Sequence, residues 1–517
     1  MRRRSETGVW WASPHVAGFL ALMPTVLGIF LIIHELTLHG VLGGVGLAPG
    51  SVNFASSVAL SKGQLPYDNF VLTQPPGMSI LLLPFAWIAH SNGSAGLDAA
   101  RGLTAAVSVI DIFLVAFTAR FHGISSTFIA GVLFAAFPNA FYATSTVTLE
   151  PYVLLFCLLA FQAAFVQGRL ADGGRLVLAG ALIGFAIAIK PWAIIPAIVL
   201  VVCAAINWRQ ALGRLLGGLL LGIVVPCITF VLASPSAFVR DVVGAELGRG
   251  PAAAVSPGLS SRIAEILGLG STLGISSPDG LAVGIGAVIV IVIVIAALAR
   301  ASTASTLDWA LLATVVGLAA IGLLPHQLPL AYTYFVAGFG AIVVGNSVGG
   351  LVAVTSSLGV GSGQVSSTAA AGLTILCVAA MVAVVSVAAP KETDFWRSYF
   401  LQNETNPSAA IDSVVPKGAC VLSNNPEALV LADRFAALPA SCPYVVDPDG
   451  IERVAGSTSA INAQWEQLVS GARYVVLGPG QPSLLSSPQL RRFFASHFSL
   501  VRNSTYQIYL NNSPLTP

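Results

Sequence analysis

The length and frequency of its apolar runs restrict this 517-residue chain most. A helix needs about 20 apolar residues to cross a bilayer, with roughly 17–25 as the working range. Runs that fit lie near 15–36, 102–120, 124–143, 151–168, 175–189, 191–206, 212–233, 280–299, 308–324, 330–348 and 370–389, about eleven in all. Only 9% of the residues are charged, against roughly 25% in a soluble globular domain. A polytopic α-helical membrane protein is therefore expected. The net charge of +2 provides no electrostatic footprint for nucleic acid.

Positive charge sets the expected topology. The run Met78–Ala89 is short and contains Pro84, which suits an interfacial or re-entrant segment better than a span. Without it as a span, Arg2, Arg3, Arg4, Arg120, Arg169, Arg175, Arg209, Arg214 and Arg300 collect on one side, which the positive-inside rule makes cytoplasmic. Loop 37–101, the Thr144–Glu150 loop, loop 234–279, the Pro325–Pro329 turn and the C-terminal tail then share the outer side. The chain is predicted to sit in the plasma membrane as a multi-pass protein with a cytoplasmic N-terminus. The transmembrane domain covers 1–390.

After Pro390 charge returns, and short β-type runs alternate with helical ones. Ala419–Ser423, Ala472–Leu477 and Tyr506–Leu510 read as strands; Pro426–Phe435, Ala460–Ser470 and Pro488–Phe498 read as helices. Residues 391–517 are thus expected to form a small extracytoplasmic α/β domain. It carries no phosphate loop, metal-ligand spacing or nucleophile elbow, and no chemistry is assigned to it. Cys420 and Cys442 can pair there, provided the tail faces an oxidising compartment.

The least lipid-like stretch of the membrane part is Gly63-Gln64-Leu65-Pro66-Tyr67-Asp68-Asn69-Phe70-Val71-Leu72-Thr73-Gln74-Pro75-Pro76-Gly77. Its prolines and glycines oppose both helix and interior strand, and rigid polar loops beside a scaffold are where sites are built. Asp68 is its only carboxylate. Glu150 ends the second outer loop, before Pro151, where capping a helix is the plain alternative to a catalytic role. Lys190, before Pro191-Trp192, lies on the outer side against the charge bias and suits an anion, although snorkelling would also place a lysine there. His326 and Arg249, with Arg240 beside it in sequence order, add outer cationic candidates. Asp111 falls inside a span, where an ionisable group is costly and implies either function or pairing between helices. Glu35, flanked by His34 and His39, ends the first span; that spacing does not make a metal site.

Together Gly63, Pro66-Tyr67, Phe70, Gln74-Pro75-Pro76-Gly77, then Leu149-Glu150-Pro151 and Lys190-Pro191, resemble the motifs of the GT-C superfamily, in particular bacterial relatives of the protein O-mannosyltransferases. The resemblance covers roughly the first 200 residues. It implies a GT-C-like fold and an inverting hexosyl- or pentosyltransferase. The enzyme would move sugar from a polyprenyl-phosphate donor to a glycan, lipid or protein acceptor of the cell envelope, at the outer face. Asp68 and Glu150 become the catalytic candidates, and Lys190, Arg249 and His326 the donor phosphate ligands. Tyr67, Gln74, Glu35 and Tyr332 are expected on the substrate cavity. No cofactor is required by the pattern; a divalent metal is left open and no metal ligand is named. Val52–Leu60 is expected as an interfacial helix beside the lipid.

The chain departs from the family at one place. Members carry an acidic residue early in the first outer loop, whereas Pro49–Ala55 contains none. Asp68 or Glu35 would have to supply that function, or the chain is a diverged member with altered activity. A transporter or lipid flippase, and a non-catalytic envelope scaffold, are the competing classes. A transporter would show paired broken helices in two related halves, and no internal repeat is legible.

Overall fold

The computed structural model describes residues 14–38, 40–45, 48–207, 209–245, 258–269, 279–301, 304–323, 330–358, 394, 406–478 and 484–513. Arg249, His326 and the apolar run 370–389 lie outside them. Among the described residues five helices are long and apolar enough to cross a membrane: His15–Leu36, Gly93–His122, Arg209–Ala233, Thr306–Leu323 and Leu330–Leu351. Shorter apolar helices cover Ile124–Ala135, Glu150–Ala164, Gly174–Ile189, Pro191–Ile206 and Val283–Ala299. The first helix shows its outward face plainly, with Phe19, Met23, Val26, Phe30 and Ile33 all exposed. A large apolar surface of this kind is the mark of a lipid-facing wall.

The run Met78–Ala89 is divided into pieces too short to cross a bilayer as one helix. It forms two short helices, Gly77–Leu81 and Leu83–Ala89, with Pro84 in the first turn of the second. The expected interfacial helix runs from Ala48 to Ser61 but is not an amphipathic helix on a surface. Phe54, Ala55, Val58 and Ala59 are all buried, and the C-terminal helix Pro426–Leu431 packs on it. The helix Ala48–Ser61 is covered by protein.

A small-residue seam sets the position of Gly174–Ile189, the helix that leads to Lys190. Gly180 and Gly184 face Gly218 and Gly222 of Arg209–Ala233, both pairs spaced for one helix face. A Cβ at Gly180 would meet Leu215 O at 2.1 Å; one at Gly218 would meet Val177 O at 2.0 Å. Glycine at these positions lets the two backbones touch, which is how helices associate without a hydrophobic gain in lipid.

The C-terminal residues build a four-stranded sheet in the order Val421–Ser423, Tyr474–Leu477, Gln507–Asn511, Phe498–Asn503. The first pair is parallel and the other two are antiparallel. A disulfide joins Cys420 and Cys442, 22 positions apart. The segment differs from expectation in places: Phe498–Asn503 is an edge strand after a helix ending at His497, and unforeseen helices span Ser408–Asp412 and Pro448–Ala455.

This segment docks on the membrane helices through acidic side chains. Arg101, fully buried, donates to Glu427 Oε1 at 2.9 Å and to the carbonyls of Val41 and Gly44 at 2.8 and 2.7 Å. Asp433 Oδ1 accepts from Gly93 N at 2.7 Å, at the start of Gly93–Thr118. Asn406 Nδ2 donates to Gly43 O at 2.8 Å.

The glycine seam yields a stability test. Gly184→Ile and Gly222→Ile should each lower stability by about 1–3 kcal/mol through overpacking, read by unfolding in detergent. Gly217→Ile, where a Cβ meets nothing within 4 Å, should match the parent.

Candidate active site

The site is built where one proline opens a helix and another follows the end of a second. Pro191 disfavours helical geometry at the residue before it, so Lys190 turns extended (φ −151°, ψ 129°) at the end of Gly174–Ile189. Pro151 occupies the first turn of Glu150–Ala164, where its missing N–H costs nothing, and leaves Glu150 at the helix start. The two side chains meet: Lys190 Nζ donates to Glu150 Oε1, with both residues almost fully buried. The Lys190 ammonium also sits 3.3 Å from the centroid of the Tyr332 ring, a cation–π contact, and Trp192 packs edge-on against that ring at 4.5 Å.

The Gly63–Gly77 loop is held against this pair by its own geometry. Gly63 has φ +81° and Tyr67 φ +69°, a region costly for a residue with a Cβ. Tyr67 is kept there by its hydroxyl, which donates to Gln74 O at 2.6 Å, and by edge contact of its ring with Phe238 at 4.9 Å. Gly77 is where the loop touches the Lys190 helix. A Cβ there would lie 2.5 Å from Ala188 O, so only glycine permits the approach. From below, Asn53 Nδ2 donates to Val147 O at 2.7 Å and ties the buried helix Ala48–Ser61 to the loop before Glu150.

These parts enclose a cavity of about 110 Å³. Glu150, Lys190, Gln74, Asn53 and Tyr332 line it on the membrane-helix side; Asp447, Asp449 and Arg453 line it from the C-terminal segment. Gln74 Oε1 faces this region buried and without a hydrogen bond. An unpaired acceptor of that sort costs about 1–3 kcal/mol unless something donates to it.

The structure brings together Glu150, Lys190, Gln74 and Tyr332, and it does not bring Asp68, Glu35 or Tyr67 to them. Asp68 is solvent-exposed on the turn tip, accepting from Asn69 Nδ2 at 3.3 Å, because Tyr67 on its left-handed backbone turns inward in its place. Tyr67 braces the loop and lies behind the cavity wall. Glu35 lines a separate, narrow cavity with Ser108, Thr144 and Tyr334. Asp111, buried in its helix, accepts from Tyr334 Oη at 3.1 Å, so it pairs between helices.

The sequence reading missed the C-terminal contribution. Asp447 caps Pro448–Ala455, accepting from Gly450 N at 2.8 Å with Oδ1. Its Oδ2 accepts from Thr73 N at 3.1 Å and from Thr73 Oγ1 at 2.6 Å, inside the motif loop. That seats the helix on the cavity. Asp447-Pro448, an N-cap residue followed by proline at the first helical position, was the legible signal. Burial, then the charge of Asp447, pushes the Asp449 carboxyl above its usual range, against a smaller opposing effect of Arg453. Burial likewise raises Asp241, with Arg240 opposing and Asp447 adding to it. Among the described residues no group of three or more His, Cys, Asp or Glu side chains is placed to hold a metal ion.

A larger cavity, about 1260 Å³, lies at the other end of Glu150–Ala164, about 22 Å away at 1.5 Å per residue. Arg120, Arg175, Arg300 and His122 line it. Its size does not make it the reacting site: it has no contact with the motif loop or with Lys190.

Comparison with known proteins follows the same division. Residues 72–325 match the model of Glycosyltransferase family 87, a stretch that begins in the motif loop and includes Glu150 and Lys190. No curated protein matches the chain. Among solved structures, ArnT from Cupriavidus metallidurans bound to undecaprenyl phosphate aligns with a TM-score of 0.59 at 13% identity, covering 95% of this chain and 98% of that one. The fold is that of the GT-C glycosyltransferases. The Archaeoglobus fulgidus oligosaccharyltransferase, tethered to an acceptor peptide containing the NVT sequon, aligns with a TM-score of 0.51 at 13% identity, covering 98% of this chain and 75% of that one. Both alignments extend past residue 325, so the likeness in fold reaches further along the chain than the family match.

The ion pair gives a second test. Lys190→Met alone strands a buried carboxylate and should cost about 3–5 kcal/mol. Glu150→Leu combined with Lys190→Met should cost less than that single change; strictly additive losses would mean the pair is not coupled.

Proposed function

We propose that the chain is an inverting glycosyltransferase that moves a sugar from a polyprenyl-phosphate donor to a cell-envelope acceptor at the outer face of the plasma membrane. The observation that carries this reading is the buried Lys190–Glu150 pair on the wall of a small cavity, inside the stretch matching Glycosyltransferase family 87. The ArnT structure it resembles is described as bound to undecaprenyl phosphate. Sidedness is supported by arginine: Arg120, Arg175 and Arg300 gather at the opposite end, as a cytoplasmic face requires. The Cys420–Cys442 disulfide fits an oxidising outer compartment.

In this mechanism Lys190 holds the donor phosphate. Its ammonium has three hydrogens, one engaged by Glu150, and the rest are available to a phosphate oxygen. When the bond from the anomeric carbon to phosphate breaks, negative charge grows on that oxygen. A cation fixed in place and partly shielded from water stabilises it without reorganising. Glu150 and the Tyr332 ring keep the ammonium in place. Gln74 Oε1 is positioned to accept a sugar hydroxyl. The cavity is smaller than the roughly 300–1,000 Å³ of a drug-sized pocket. It takes the reacting end of the donor, and the lipid lies between helices.

Lys190→Gln keeps a hydrogen-bond donor for Glu150 while removing the charge. With the protein in lipid nanodiscs and a polyprenyl-phosphate sugar supplied, transfer should fall by about 10²-fold or more. Undiminished turnover by this variant would remove Lys190 from the mechanism, and absence of transfer by the parent over a panel of such donors and envelope acceptors would remove the reading itself.

A further inference from the structure

An inverting transfer needs a base for the acceptor hydroxyl, and the early part of the first outer loop provides no acid. The two loop candidates and the carboxylates that line the cavity, Glu150, Asp447 and Asp449, can be sorted by what already holds them. Asp68 is outside the cavity, and Glu35 is in another one. Glu150 is committed to Lys190. Both oxygens of Asp447 are committed, one to Gly450 N and the other to Thr73. Asp449 remains, half-buried on the wall of the cavity that Lys190 and Glu150 also line.

We propose that Asp449 is the general base, so that the C-terminal α/β segment completes the active site of the membrane helices. This rests on the glycosyltransferase reading above. Asp449 takes the proton of the acceptor hydroxyl as its oxygen forms the new bond to the anomeric carbon. The bond from that carbon to the phosphate oxygen breaks in the same displacement, and the electron pair leaves with the polyprenyl phosphate beside Lys190. Asp449 then releases its proton to water. Asp447 is a positioning residue: its bonds to Thr73 register the helix Pro448–Ala455 against the motif loop. Gly93 and Gly450 show how tightly the segment is seated. A Cβ at Gly93 would meet Val430 O at 1.8 Å, and one at Gly450 would lie 2.9 Å from Thr73 Cγ2.

Burial and the neighbouring carboxylate raise the pKa of Asp449 above the ordinary aspartate range. Asp447, Glu452 and Arg453 come from its own helix, Arg240 and Asp241 from the turn packed against that helix, and Lys190 and Glu150 from across the cavity. The raised pKa makes the carboxylate a stronger base than an exposed aspartate, and it must be ionised to act. Activity should therefore decline on acidification from a higher pH than an ordinary aspartate would give.

The test uses the full chain in nanodiscs, with a polyprenyl-phosphate sugar that the parent is shown to turn over. Asp449→Asn should reduce kcat by about 10²–10⁴-fold, with unchanged binding of polyprenyl phosphate and an unchanged unfolding midpoint. Its residual rate should lack the parent's acid limb, and Asp449→Glu should restore part of the rate. Asp68→Asn should match the parent. Turnover by Asp449→Asn within about threefold of the parent overturns the proposal, as does a loss that tracks weakened donor binding or a lowered midpoint. A parent that turns over no such donor instead overturns the underlying glycosyltransferase reading, so the two failures are distinguishable.

Discussion

A buried lysine beside a buried glutamate is tolerable only because each satisfies the other, and the Lys190–Glu150 pair imposes that condition on everything around it. Removing one partner leaves a charge in a low-dielectric wall, so the two helix ends that carry them must stay in register. Pro151 and Pro191 fix where those helices start and stop. The glycine seam between Gly174–Ile189 and Arg209–Ala233 fixes where the lysine helix stands. Gly77 then allows the motif loop to close on Ala188. These are separate local devices, and they converge on one ammonium group.

The second constraint is the docking of the C-terminal segment. Its carboxylates do the attaching: Glu427 to Arg101, Asp433 to the first N–H of Gly93–Thr118, and Asp447 to Thr73. Glu427 with Arg101 is a fully buried pair, which specifies the seating more than it stabilises it. Asp433 at a helix start satisfies an otherwise orphan donor. The segment therefore forms the cavity's roof, and the helix Ala48–Ser61 beneath it is buried by protein where sequence suggested lipid.

Charge divides the two ends of the helix bundle. One end concentrates arginines around a wide cavity; the other has the lysine, the motif loop and a set of carboxylates around a narrow one. The wide cavity offers volume without the motif residues, and the narrow one has the convergent polar groups that a reacting centre needs.

How much of this was legible follows from range. Apolar run length and arginine placement determine the membrane class and set the expected topology, because each is a property of short stretches of chain. The prolines that follow Glu150 and Lys190 marked those residues for the same reason. The side chain facing the cavity at the motif loop was not legible. Asp68 is the only acid in the stretch, yet the left-handed turn at Tyr67 leaves it in solvent. Nor was the identity of the acid on the cavity wall, since Asp449 lies more than 370 residues from Thr73 in sequence and reaches the site only through the Asp447 contact. Sequence by itself determined the scaffold and the cation. Tertiary structure alone decided which carboxylates share the cavity with it, because that depends on long-range docking of one segment on another, and no local period or spacing encodes it.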